Sequence, residues 1–264
     1  MKYRIKLNQL LKEWPRGTIF TTSYLEHLGY SLRLLQKYKA SQWIESVGHG
    51  AYKLAGDQVG YGGAVYALQN QLNLTIHPGG KTALTLSGFG HYIPSRETHE
   101  KVFLYGEPGE KLSGWFTKHF LKEWMTYKST KLFTNNFFQD KTSYTVYSFQ
   151  NFNFAFKISS AERAMLEMLY LVPYQETFEE CFLIMENLTT LRSHVVQTLL
   201  ENCTSIKVKR LFLYMAEKLN YSWFGKLSLE KIDLGRGKRV IIKNGTLDTH
   251  YNITVPKIKD EEIP

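Results

Sequence analysis

Apolar residues recur with a helical period at the start of the chain. Leu7, Leu10, Leu11 and Trp14 are spaced i, i+3, i+4, i+7 and predict one buried helix face. Pro15 ends that pattern and Gly17 turns the chain. Ser23 with Glu26 fits a capping box, Leu25 and Leu28 point inward, and Gly29 suits the C-cap. Ser31 then serves as N-cap for SLRLLQKYKASQW. Leu32, Leu35 and Tyr38 fall near one face of that helix, and Arg33, Gln36, Lys37 and Ala40 on another. Trp43 to Val47 and Ala51 to Leu54 read as short strands around a Gly48-His49-Gly50 turn. Three helices followed by a β-hairpin predict a winged helix-turn-helix over residues 1–57.

The pattern over residues 58–264 is mixed. Gly56 to Gly63 contains four glycines and reads as a joint between domains. A helix is expected over Ala64 to Leu72, and strands over Leu72 to Ile76 and Val102 to Tyr105, with a Glu107-Pro108-Gly109 turn after the latter. Segments 115–127 and 132–138 give no clear period. Tyr144 to Phe149 and Phe152 to Ile158 read as strands around Gln150-Asn151. The period then changes to about 3.6. Ser159 and Glu162 form a capping box, and helices follow at 175–187, 191–202 and 205–219. In the last, Val208, Leu211, Phe212, Met215 and Leu219 form the buried stripe, opposite Lys207, Arg210, Tyr214 and Glu217. A strand from Arg236 to Lys243 leads into an Asn244-Gly245 hairpin turn. The expected fold class is α+β: a winged-helix domain at 1–57 and a mixed α+β domain at 58–264 with a helical second half.

Charge sharpens this picture. The net charge is +9, unevenly placed. Residues 1–57 hold nine Lys/Arg against four Asp/Glu, and residues 205–243 hold ten against three. Such concentrations suit a polyanionic partner. In a winged helix the second helix of the pair enters the major groove. Arg33 and Lys37 would donate to guanine edges or phosphates, and Gln36 would read adenine. Ser31 could bond a phosphate at the helix N-terminus, and His49 and Lys53 would reach the backbone from the wing. Lys2, Arg4 and Lys6 could add phosphate contacts. For the second basic segment three readings stand open. Lys207, Lys209, Arg210, Arg236, Lys238 and Arg239 could meet DNA, meet an acidic or nucleic-acid partner, or form a solvated face.

One stretch suggests an enzyme. HPGGKTALTL (77–86) ends as a phosphate-binding loop does, but the motif requires Gly at position 75, where Thr75 stands, and Pro78 removes a donor. Gly79-Gly80 instead reads as the opening of a short helix. His27, His49, His77, His91, His99, His119, His194 and His250 are scattered without ligand spacing, and no nucleophile elbow occurs. No catalytic residue, metal or cofactor is expected. Cys181 and Cys203 lie in helical patterns, where buried free thiols are expected. MKYRIKLNQLLKEW is unlike a signal peptide, and no apolar run reaches the ~18 residues of a membrane span. The expected compartment is the cytoplasm.

Several long segments, in order, resemble the AbiEi-type antitoxins of type IV, abortive-infection toxin–antitoxin systems. They are LGYSLRLLQKYKASQWIESVGHGAYKL, YGGAVYALQNQLNLTIHPGGKTALTLSGFGHYI, SSAERAMLEMLYLVP, LTTLRSHVVQTLLENCTSIKVKRLFLYMAEKL and DLGRGKRVIIKNGTLDTHYNITVP. The resemblance implies an N-terminal domain that binds promoter inverted repeats in double-stranded DNA and represses its own operon. It implies a C-terminal domain that counteracts a nucleotidyltransferase-fold toxin without needing a stable complex. A monomer whose two copies meet on the repeats is the corresponding expectation. The residues alone also allow a two-domain transcription factor with a sensing C-terminal domain, or a nucleic-acid-modifying enzyme with a winged-helix reader.

Overall fold

The computed structural model describes residues 2–90, 101–122, 124–134, 140–149 and 151–256. It is of the α+β class. Helix α1 (Lys2–Glu13) is followed by β1 (Phe20–Thr21), α2 (Thr22–His27), α3 (Leu32–Ala40) and the hairpin of β2 (Ile44–Gly48) and β3 (Ala51–Leu54). Strand β1 pairs with β3, so the antiparallel order is β1–β3–β2. The helices close over this sheet on Leu10, Trp14, Phe20, Leu25, Leu35, Ile44 and Leu54. Trp14 stacks on Phe20 with centroids 4.3 Å and ring planes 11° apart. This is the winged-helix arrangement.

Three local expectations change. Leu28 does not point inward: it ends α2 at the C-cap and is 40% exposed, leaving Leu25 as the buried residue of that helix. Thr21, not Ser23, caps α2: its hydroxyl accepts from the Tyr24 N–H, because Thr21 ends a strand and is still extended. Leu32 does not face inward. It is 51% exposed, and Leu34, Leu35 and Tyr38 fill the core side of α3.

The glycine-rich run is not a loose joint. Gly62 and Gly63 lie buried inside helix α4 (Tyr61–Asn70). A Cβ on Gly63 would sit 1.8 Å from the Gly17 carbonyl oxygen, and one on Gly62 would sit 2.4 Å from the Phe149 ring. Their absent side chains let a helix backbone press against a turn and a ring. Asp57 secures the same turn, accepting from Arg16 at 2.6 Å and from the Gly17 N–H at 2.9 Å. The Gln71 side chain accepts from Thr21 N–H and donates to the Ile19 carbonyl. Phe149, Phe152, Phe154 and Phe156 complete the wall.

Two compact units result, each built from separated segments. The first combines Met1–His77, Leu104–Ser129 and Val146–Ile158, and the second Pro78–Phe103, Thr130–Thr145 and Ser159–Pro264. Leu72 to Ile76 is irregular rather than a strand. Asn73 takes a positive φ, and the Thr75 N–H bonds the Glu110 carboxylate instead of a neighbouring strand. The next elements are β4 (His77–Pro78), α5 (Gly80–Leu86), β5 (Val102–Gly106), α6 (Gly114–His119) and β6 (Met125–Ser129), with sheet order β4–β5–β6. Strands β7 (Tyr144–Ser148) and β8 (Ala155–Ser159) pair with each other.

The second unit is organised around α7 (Ala161–Tyr170), against which α5, α8 (Phe178–Glu186), α9 (Ser193–Asn202) and α10 (Ile206–Lys218) pack. Every residue of α7 from Glu162 to Leu169 is buried, including its three charges. Ser160, rather than Ser159, occupies its N-cap position. Arg163 Nε donates to Glu167 at 2.8 Å, and the other Glu167 oxygen accepts from Ser159 Oγ and the Gly80 N–H. The guanidinium also donates to Ser143 and lies over the Phe133 and Tyr144 rings, 4.9 and 4.5 Å from their centroids. Strands β9 (Arg239–Val240), β10 (Thr246–Asp248) and β11 (Ile253–Val255) have the order β10–β11–β9. Since β9 runs parallel to β11, Asn244-Gly245 is not a hairpin turn; the antiparallel pair is β10–β11.

This packing is open to two tests. Gly63→Ala should cost about 1–3 kcal/mol of unfolding free energy in urea, because its Cβ overpacks a backbone oxygen. Gly60→Ala, whose Cβ meets open space, should stay within about 0.5 kcal/mol. Burial would raise the Glu162 carboxyl, but hydrogen bonds from the Arg192 side chain and backbone outweigh it and hold it at about 2. Its stabilisation is therefore present above about 4.5 and is lost as pH falls towards about 2. Denaturation midpoints over that range should fall less steeply in Glu162→Gln than in the parent.

Candidate nucleic-acid interface

Helix α3 is amphipathic in the plain sense. Leu34, Leu35 and Tyr38 anchor it, so residues about half a turn away must face out. Arg33, Gln36, Lys37 and Ala40 are all exposed on that outer side, as the spacing predicts. Ser31 stands at the N-cap in extended conformation, exposed, with no side-chain cap bond. Leu32 and Lys39 are also exposed beside this face, although the apolar spacing places the first inward and does not single out the second. Helical phase is the signal that locates both: once 34, 35 and 38 are inside, 32 and 39 fall at the rim.

The wing divides its two candidates. His49 is exposed at the tip, where Gly50 takes a positive φ. Lys53 is half-buried lower down, pairing with Glu45 at 2.9 Å and donating to the Asp57 carbonyl at 2.7 Å. The Gly56 N–H and Lys53 together hold the Glu45 carboxyl below its usual range. Lys53 therefore braces the base of the hairpin. Behind the wing, Gly48 leaves room for Trp115 of α6; an added Cβ would lie 2.8 Å from the Trp115 Cβ. Lys6 donates to the Gly29 carbonyl and fixes α1 to the turn before α3. The side chains of Lys2 and Arg4 lie outside the described residues.

The second basic segment separates more sharply. Lys209 and Arg210 are buried, so they are not part of a partner-facing surface. Lys209 Nζ donates to the Asp233 carbonyl at 3.0 Å. Arg210 donates to the carbonyls of Leu234, Gly235, Gly237 and Asn252 at 2.7–3.2 Å. A carbonyl-rich loop needs donors, and a guanidinium supplies five in a fixed fork. Burial, then the nearby charge of Arg239, lowers the Arg210 pKa. Lys207 is half-buried and donates to the Tyr170 and Val172 carbonyls; burial lowers its pKa. Arg236, Lys238 and Arg239 remain exposed on the loop that Arg210 gathers.

The phosphate-loop look-alike is likewise accounted for internally. Gly79 caps α5 and the Gly80 N–H meets the Glu167 carboxylate, while Lys81 pairs with Glu180. An anion does sit against this loop, and the chain provides it. Both cysteines are buried free thiols.

Helices α2 and α3 with the β2–β3 wing define a winged-helix protein with a basic outer helix face. The chain belongs to the AbiEi antitoxin family: residues 3–95 match the profile "Transcriptional regulator, AbiEi antitoxin N-terminal domain", and residues 99–256 match "Transcriptional regulator, AbiEi antitoxin, Type IV TA system". No curated protein matches the chain. The fold is shared with the RV2827C protein from Mycobacterium tuberculosis, at TM-score 0.59 and 10% identity over 96% of this chain and 91% of that one. Among the described residues no helix is long and apolar enough to cross a membrane.

The two uses of basic charge separate by measurement. Arg210→Met should strip donors from buried carbonyls and cost about 1–3 kcal/mol of stability. Arg236→Ala with Lys238→Ala should shift the same denaturation curve by no more than about 0.5 kcal/mol.

Proposed function

We propose that this chain is a bifunctional antitoxin of a type IV system, which represses its own operon through residues 1–57 and counteracts its toxin through residues 58–264. The observation that carries the DNA half is the outer face of α3, with Arg33, Gln36 and Lys37 exposed opposite a closed core, in a family of transcriptional regulators. Such a helix fits the major groove, where Arg33 donates to guanine N7 and O6, Gln36 pairs with adenine, and Lys37 meets phosphate. Ser31 bonds the phosphate that lies at the helix N-terminus. His49 reaches the flanking backbone from the wing. Lys53 contributes by holding the wing rigid rather than by direct contact.

Two copies bind the two arms of a promoter inverted repeat, each presenting one α3. The toxin is of the nucleotidyltransferase fold and is counteracted without a stable complex, in the cytoplasm. Family membership supports a toxin, and the exposed Arg236, Lys238 and Arg239 offer that pathway an acidic or nucleic-acid contact.

A gel shift on the operon's own promoter tests the DNA half. Arg33→Ala with Lys37→Ala in the full chain should weaken binding by about 1–3 kcal/mol for each base edge that goes unread. The salt dependence of binding should flatten for each phosphate that is no longer neutralised. The same variant should still protect cells that express the toxin. Unchanged promoter affinity rules out α3 as the recognition helix, and loss of protection rules out the division of labour.

A further inference from the structure

We infer that Leu32 reads a thymine methyl group, so that each operator arm contains an A·T pair at the position under the first turn of α3. The inference rests on the DNA-binding reading above and names the sequence class that the same helix prefers. Leu32 is the first residue of α3 and is 51% exposed. The core has no use for it: Leu34, Leu35 and Tyr38 are 6%, 0% and 5% exposed and already close the inner side. Leu32 instead lies at the rim of the outer, polar side, beside Ser31, Arg33 and Gln36, all exposed.

Helical geometry makes the grouping specific. At 3.6 residues per turn, Leu32 and Gln36 are separated by only about 40° around the axis and stand one above the other. Side chains in the first turn of a recognition helix are those that meet base edges. In the major groove only thymine presents an apolar feature, its C5-methyl, and a glutamine pairs with adenine N6 and N7. An apolar side chain stacked on a glutamine is thus a matched reader for steps that combine T and A. A guanine-rich arm would place the Leu32 isobutyl group against N7 and O6, acceptors it cannot satisfy.

The experiment uses the full chain and its own promoter fragment, made once with thymine and once with uracil, which lacks only the C5-methyl. Burying one methyl is worth about a fourfold change in affinity, hence roughly fifteenfold for two copies on two arms. The parent protein should bind the thymine fragment more tightly by about that factor. Leu32→Ala, at an exposed position, should keep the parent's melting temperature and bind both fragments equally. Equal binding of both fragments by the parent overturns the inference. So does a thymine preference that survives in Leu32→Ala, since another residue then reads the methyl. In both cases a loss of affinity in Arg33→Ala with Lys37→Ala shows that the DNA-binding reading still stands. If the parent binds neither fragment, that reading fails and the assignment of Leu32 falls with it.

Discussion

A charged pair in the middle of a helix buried from Glu162 to Leu169 constrains the second unit. Arg163 and Glu167 are each 1% exposed, so neither can turn to water for its remaining hydrogen bonds. Desolvated ions of this kind are tolerated only where their surroundings satisfy them. The surroundings here come from Ser159 nearby and, from farther along the chain, Ser143, the Gly80 N–H and the rings of Phe133 and Tyr144. The pair therefore ties the start of α5, the end of β8 and the side chains of Phe133, Ser143 and Tyr144 to one helix. Apolar packing is non-directional, whereas these hydrogen bonds require particular donors and acceptors in place.

Cationic side chains serve two purposes in this chain, and burial separates them. On α3 the core is complete without Arg33 or Lys37, so their charge stays at the surface, where an anion can reach it. On α10 the surrounding loop turns its carbonyls inward, and Lys209 and Arg210 supply donors to them. The number of basic residues in a segment is thus a poor measure of the field a partner meets. The second basic segment is more basic by count than the first, yet three of its cations, Lys207, Lys209 and Arg210, donate to the chain's own carbonyls.

Much of the architecture is readable from residue spacing. The helices of the winged-helix segment, α7 to α10, and the opening of α5 at Gly79-Gly80 follow from apolar period, although the N-caps of α2 and α7 are not the residues that spacing picks out. Several of the misreadings share one physical origin: long-range contact overrides local pattern. Gly62 and Gly63 look like linker residues, but they serve close approaches to Phe149 and Gly17, both remote in sequence. Asn244-Gly245 has hairpin chemistry, yet β9 pairs in parallel with β11, so the local turn closes no ladder. Lys209 and Arg210 fall at polar helical positions, and nothing nearby in sequence announces the loop that wraps them. For the candidate site, the exposed face of α3 is legible. The brace formed by Lys53, and the outward turn of Leu32, depend on which residues close the core first.

The interleaving of the first unit has a consequence for how the protein is made. A ribosome delivers the winged-helix residues early, but the phenylalanines that wall in Gly17 and Gly62 belong to the segment ending at Ile158. Contacts across such separations carry a loop-closure cost before they return any stabilisation. More than half of the polypeptide must therefore emerge before the first unit is complete. The nascent chain carries a basic helical segment whose final support has yet to be synthesised, so biosynthetic timing, as well as affinity, sets when a new copy becomes a finished molecule.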